Sequence, residues 1–380
     1  MTRHSPVLMD VLSDITDSRQ AKGKRHCLKA ILAQSVAAML CGYRSYSSIA
    51  EWGRNYGEEF LQALGFRPRT TPCAATFFNV YRKLDQAELE RKLGSWAEGL
   101  IQLTQEETEV LEQTCLDGKS LRGSRKQGAQ VAHILSALGR RLGMTLGQVV
   151  VPEKTNEIGV VLDLLKSLLL EGKVITCDAL LTQREVAQAI TERGGDYVMI
   201  VKGNQPTLQA EITELFEHKE AFKSEIETFV TMDQGHGRIE QRRLSATSML
   251  NGYCEWPAMQ QVFEIERKVT KKKTGAHRTE IVYGITSLRA EVASAEKLLD
   301  IVRGHWTIEN KSHWVRDVTF DEDRSQVRTG NIPQVMTSLR NTAIGIMRLI
   351  GETNIAAACR KFAARPWTAL ALIGVPGRIK

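Results

Sequence analysis

Seven cysteines are scattered over 380 residues, and no two of them form a Cys-x-x-Cys pair. An odd, unclustered set argues against a disulfide framework or a zinc ribbon, and for a reducing compartment. A bilayer-crossing apolar run is also missing. The best stretch, Leu28–Cys41, carries Lys29, Gln34 and Ser35 and reads as a core helix. The first residues lack a basic-then-apolar leader, so the expectation is a cytoplasmic protein. There is no internal repeat and no low-complexity tract. Gly118-Lys119-Ser120 ends like a phosphate-binding loop, but Gln113 stands where such a loop needs its first glycine. His305 and His313 lack the His-Glu-x-x-His spacing of a zinc helix, which leaves packing or DNA contact.

What is present is the composition of a soluble globular chain, 42% hydrophobic and 25% charged, long enough for two or three domains. The net charge of +7 and a pI near 9.0 suggest a polyanionic partner. The basic residues cluster. Arg19, Lys22, Lys24 and Arg25 form one run without an acid; Lys268, Lys271, Lys272, Lys273 and Arg278 form another. Each alone reads as a solvated loop; beside a metal site they read as phosphate contacts.

Residues 1–107 carry apolar residues at three-to-four spacing over Leu28–Leu40, Tyr46–Leu64 and Gln86–Leu103, with a short helix at Ala75–Leu84. This predicts an all-helical domain, either for DNA binding or for packing and dimerisation. From Val110 the texture changes. Val110–Leu116, Val131–Ala137 and Thr145–Val151 read as strands, Asn156–Leu170 as a helix, and Lys173–Cys177 as a strand. A helix capped by Thr182 and a strand at Asp196–Val201 follow. The order β-β-β-α-β-α-β predicts an α/β (α+β) class with a ribonuclease-H-like mixed sheet over 108–350. Strand-like runs at about 224–290 form a β-rich insertion, with Lys271–His277 at a hairpin tip. Helix returns over Val292–Phe320, Ile332–Leu349 and Ile355–Ala363, and 351–380 reads as a helical tail.

Three acids stand out on this frame. Asp117 and Asp178 each end an apolar strand, where ligands of open α/β sheets gather, and Gly118 permits a sharp turn after the first. Glu309 falls in a helix-like run in which His305, Glu309, His313 and Arg316 share a face at steps of four, four and three. Trp306 and Trp314 flank that face and are expected to pack it against the sheet. Carboxylates brought within 4 Å repel by about 4 kcal/mol per pair at an effective dielectric of 20. Such a cluster wants cations, and two magnesium ions on two aspartates and a glutamate suit phosphoryl transfer on nucleic acid. Taken singly, each acid has a plain explanation as a turn, a cap or a solvated charge.

Longer motifs then carry a resemblance. Asp117-Gly-Lys-Ser-Leu-Arg-Gly-Ser124, Asp178-Ala-Leu-Leu-Thr-Gln183, Tyr197-Val-Met-Ile-Val-Lys-Gly-Asn-Gln205, His236-Gly-Arg-Ile-Glu240, His305-Trp-Thr-Ile-Glu-Asn310, His313-Trp314 and Phe320-Asp-Glu-Asp323 resemble ISAs-family insertion-sequence transposases. That family includes the H-repeat-associated proteins and belongs to the DDE group. The resemblance covers nearly the whole chain. It implies a helical N-terminal transposase-associated domain, a β insertion between the second aspartate and the glutamate, and DNA cleavage and strand transfer. Asp117, Asp178 and Glu309 would be catalytic and hold two Mg²⁺, with Mn²⁺ as a substitute. The Tyr-Arg-Glu-Lys signature of related enzymes maps imperfectly, with Val302, His305 and Arg316 at its Tyr, Arg and Lys positions.

The expected partner is double-stranded DNA, both element ends and target, contacted by Lys202, Lys271, Lys272, Lys273, Arg316 and His305. A homodimer or larger assembly on DNA, in the bacterial nucleoid, completes the expectation. Two alternatives remain: an inactive or domesticated DNA-binding protein, and a stand-alone nuclease of the same fold.

Overall fold

The computed structural model describes residues 7–67, 70–104, 111–122, 133–151, 157–235 and 237–375. Val110, Val131, Ala132 and Asn156, expected at element starts, lie outside the described residues, as do Gly123, Ser124 and His236 of the motifs. Six helices come first: α1 (Leu8–Ser13), α2 (Leu28–Leu40), α3 (Tyr46–Arg54), α4 (Glu58–Ala63), α5 (Ala74–Lys83) and α6 (Gln86–Leu103). Then follow β1 (Glu112–Ser120), β2 (His133–Gly139), β3 (Met144–Val151), α7 (Glu157–Ser167), β4 (Lys173–Cys177), α8 (Arg184–Thr191), β5 (Asp196–Val201) and α9 (Pro206–Glu217). Four long strands come next: β6 (Glu227–Gly235), β7 (Arg238–Thr247), β8 (Gln261–Lys271) and β9 (His277–Thr286). The chain finishes through α10 (Ala295–His305), a π-turn (Glu309–His313), α11 (Trp314–Val318), α12 (Ile332–Leu349), α13 (Ile355–Ala363) and α14 (Pro366–Leu372).

The strands form one sheet in the order β3-β2-β1-β4-β5-β9-β8-β7-β6. β1, β4 and β5 run parallel, while β2–β3 and β5–β9–β8–β7–β6 pair antiparallel. An antiparallel start followed by parallel strands is the ribonuclease-H-like arrangement, here within a mixed α/β fold. The β-rich segment extends the sheet itself, because β9 pairs directly with β5.

Two compact units divide the chain. One comprises Met1–Glu109, Gly118–Thr155 and Ile308–Lys380. Its core is α2, where Ala30 to Leu40 are essentially buried. Two polar side chains in that helix reach distant partners: the Gln34 amide nitrogen donates to the Ile49 carbonyl at 2.8 Å, and Ser35 meets the Tyr81 hydroxyl at 2.6 Å. The expected helix Tyr46–Leu64 is two helices, since α3 stops at Arg54 and Gly57 starts α4. Trp52, Tyr56 and Phe60 pack edge and face around that break, which offsets the interrupted backbone. α6 lies so close to β3 that a Cβ on Gly94 would stand 2.1 Å from the Leu146 carbonyl oxygen.

The other unit comprises Val110–Asp117 and Asn156–Thr307. α10 buries Leu298, Leu299 and Ile301 against Leu244, Phe263 and Ile265 of the long strands. Three expectations need correction here. Asp117 lies within β1, which continues to Ser120, and Gly118 makes no left-handed turn. Thr182 is no helix cap; Gln183 precedes α8, and the Thr182 hydroxyl donates to the Ile200 carbonyl at 2.7 Å. The run Val292–Phe320 is not one helix, because α10 ends at His305 and π geometry takes over at Glu309.

Candidate metal centre and nucleic-acid interface

The parallel pairing of β1 with β4 sets the first two acids. Leu116 is the register partner of Cys177, so Asp117 and Asp178 are the next residues on neighbouring strands. Beyond this pair β4 stops, and Asp178 caps a short 3-10 turn, its Oδ1 accepting from the Ala179 N–H at 2.5 Å. One Asp178 oxygen thus holds the start of the loop in place. Asp178 is exposed and Asp117 half-buried. Cys177, directly before Asp178, is buried, and burial followed by the adjacent Asp178 charge pushes its thiol up to about 12. That shift leaves the thiol protonated at neutral pH.

Beside Asp178 a cavity of about 590 Å³ opens within the same unit. Its floor is aliphatic (Val198, Ile265, Leu299), and its rim carries Lys202, Arg303 and His305. Lys202 is exposed just past β5, and His305 is half-buried at the end of α10. The His305 ring is tied to the strand by Nδ1, 3.1 Å from the Thr176 hydroxyl. Sequence reasoning missed Arg242, Arg267 and Arg303. Arg242 lies 2.8 Å from Asp233 and Arg303 lies 3.1 Å from it, while Arg267 pairs with Glu240. Burial raises the Glu240 carboxyl, but Arg267 and Arg242 outweigh it and leave the group below its ordinary range. The strand alternation of β7 and β8 could have found Arg242 and Arg267, which are register partners on one face.

The hairpin tip is where the basic run predicted it. Lys271 ends β8, its N–H donates to the Ala276 carbonyl at 2.9 Å, and Gly275 takes φ +66° to close the turn. Lys271, Lys272 and Lys273 are exposed there, with Lys272 reaching the Gln234 side chain at 3.1 Å. In the other basic run Lys22, Lys24 and Arg25 are exposed, while the Arg19 side chain is 9% exposed and pairs with Asp17 at 2.8 Å.

Glu309 opens the π-turn in the first unit and is exposed. The ring of His313, which closes the turn, is buried, with Nδ1 3.0 Å from Glu309 Oε2. π-turns widen the helix locally and recur at functional positions. They also spoil the regular steps that would have set His305, Glu309, His313 and Arg316 on one face. Arg316 is the clearest correction. It is 0% exposed, its Nε lies 3.1 Å from Glu322 Oε2, and Arg340 meets the other Glu322 oxygen at 2.8 Å. A guanidinium so enclosed cannot reach a phosphate. Burial raises the Glu322 carboxyl, but Arg316 and Arg340 outweigh it and hold the group below its usual range. Trp306 and Trp314, expected to pack inward, are 66% and 55% exposed. The pair Lys119–Asp317, at 2.5 Å, was not anticipated.

With this geometry in place, comparison with known proteins is informative. Residues 109–345 match the family described as "Transposase DDE domain", and residues 9–97 match "DDE_Tnp_1-associated". The "H repeat-associated putative transposase YhhI" of Escherichia coli K12 is 30% identical over 90% of each chain. The "Putative transposase YncI" of Escherichia coli O157:H7 is 29% identical over 90% of this chain and 87% of its own. A solved piggyBac transposase synaptic complex with hairpin DNA aligns over 97% of this chain and 77% of its own, at 12% identity and a TM-score of 0.42, too distant to argue from. The chain belongs to the DDE transposase family, with the H-repeat-associated transposases among its relatives.

Proposed function

We propose that this insertion-sequence transposase cuts and joins DNA with Asp117, Asp178 and Glu309 as ligands of two divalent cations. The observation that carries the reading is the register of β1 and β4, which makes two aspartates successive neighbours at the end of a parallel ladder. The donor set fits a hard cation: carboxylate oxygens, with the one adjacent thiol held protonated. Magnesium fits best, with manganese as a substitute; when bound, such ions polarise phosphoryl oxygens and lower the pKa of water.

The chain's own residues do the rest. Asp117 and Asp178 give two carboxylates on one rigid sheet, and Glu309 supplies the third. Lys202 and His305, at the cavity rim beside Asp178, hold the DNA strand near the reacting phosphate. Lys271, Lys272 and Lys273 contact phosphates farther along and make affinity salt-dependent. Partners are double-stranded element ends and target DNA, bound by a homodimer or larger assembly. An Asp117→Asn protein should bind end-bearing DNA and leave it uncut in Mg²⁺; cutting at the wild-type rate removes the assignment. A stand-alone nuclease shares the carboxylates, and pre-cleaved ends separate the two: a transposase joins them to target DNA, a nuclease only degrades them.

A further inference from the structure

The strand that carries Asp117 runs on for three residues, and side chains alternate along it. Residue 119 therefore returns to the face of residue 117. Lys119 uses that position to reach Asp317, its Nζ donating to Oδ2 at 2.5 Å, with the two side chains only 10% and 27% exposed. Asp317 sits in α11, two turns of chain beyond Glu309.

The same short helix is pinned from its other sides. Arg316, next to Asp317, is locked into the buried pair with Glu322. At its start stands His313, 2% exposed, whose Nδ1 lies 3.0 Å from Glu309 Oε2. The strand is crowded as well: the His133 ring lies so close to Gly118 that its Nε2 leaves no room for a Cβ there.

We propose that Lys119 is a positioning residue, whose ion pair with Asp317 fixes α11 against the strand leaving Asp117. Through α11 and His313 it fixes the Glu309 carboxylate for cation binding. The inference rests on the reading of Glu309 as a ligand. Stability alone explains the pair poorly. Withdrawing an ammonium and a carboxylate from water costs several kcal/mol per ion, and an apolar pair of the same size holds two elements together as well. What a charged pair adds is one preferred geometry, which a carboxylate ligand needs and an apolar contact leaves loose. Residues behind a metal ligand typically set about 10- to 100-fold in affinity.

The test uses the purified full chain and Mn²⁺ alone as probe, with binding read from loss of the free-ion electron paramagnetic resonance signal. Lys119→Met and Asp317→Asn should each weaken Mn²⁺ binding by about 10- to 100-fold. The double variant Lys119→Asp with Asp317→Lys, which restores the pair in reverse, should regain most of it. A merely structural pair would shift thermal unfolding in the single variants and leave Mn²⁺ affinity alone. The proposal is overturned if Lys119→Met binds Mn²⁺ as wild type does while Asp117→Asn has lost it. It is overturned equally if the folded double variant binds no better than the singles. Should Lys119→Met fail to fold, the double variant decides by itself. If Asp117→Asn and Glu309→Gln both bind Mn²⁺ normally, the reading of the carboxylates fails first and takes this inference with it.

Discussion

At the scale of single residues, burial decides which charges serve DNA and which serve the fold. Arg316 and Lys272 looked alike in sequence, yet one is wholly enclosed and the other exposed. Removing one partner from a buried ion pair leaves the other charge uncompensated, so Arg316→Gln should cost about 3–5 kcal/mol in urea unfolding. Lys272→Ala should leave the unfolding midpoint in place and reduce the salt slope of DNA binding by about one. If the two variants trade these phenotypes, the assignments here are reversed. Glu90 offers a pH test. Burial is the main cause that pushes its carboxyl up to about 7, against the hydrogen bonds of Ser338 and Gln148. Its folded value exceeds its unfolded one, so the folded chain holds the extra proton. That contribution is complete below about 4.5 and is lost as pH rises toward about 7. Glu90→Gln should flatten stability against pH across that window; an unchanged slope would contradict the protonated Glu90.

At the scale of elements, much of the fold was legible. α2, α6, β4, β5 and α12 run over the residues that hydrophobic spacing marks, α6 and α12 with a buried apolar face and α2 and β4 buried almost throughout. The misreadings have physical causes. α9, for which the sequence reading held no expectation, begins at Pro206 and buries Leu208, Ile212, Leu215 and Phe216. The split at Asn55–Gly57 is stabilised by aromatic contacts that no local pattern shows. β1 outlasts its apolar run because its last residues find partners far along the chain, Lys119 at Asp317 and Ser120 at His133. The π-turn, with its buried His313, could not be foreseen from a regular helical step. Close packing gives a check at this scale: Gly94→Ala forces a Cβ onto the Leu146 carbonyl oxygen, which cannot yield without moving β3. It should destabilise by about 1–3 kcal/mol or more, read from the denaturation midpoint. A neutral result would mean that α6 and β3 are not in this contact.

At the scale of the whole molecule, charge, sheet order and motif agree on DNA as substrate. The net charge of +7 favours a polyanionic partner, and the lysines at the β8–β9 turn are exposed. Sequence alone marked all three acids, Asp117 and Asp178 after apolar runs and Glu309 on a helix-like face, although β1 runs on past Asp117 to Ser120. Of the arginines at the cavity beside Asp178, Arg242 and Arg267 share a face through the alternation of β7 and β8, a signal the sequence reading did not use. The most direct test of the whole account is single-turnover cleavage of end-bearing DNA in Mg²⁺ by Asp178→Asn, with binding measured on the same DNA. The account predicts a loss of about a thousandfold or more, about 4 kcal/mol of transition-state stabilisation, with binding retained. Cleavage at the wild-type rate would contradict it.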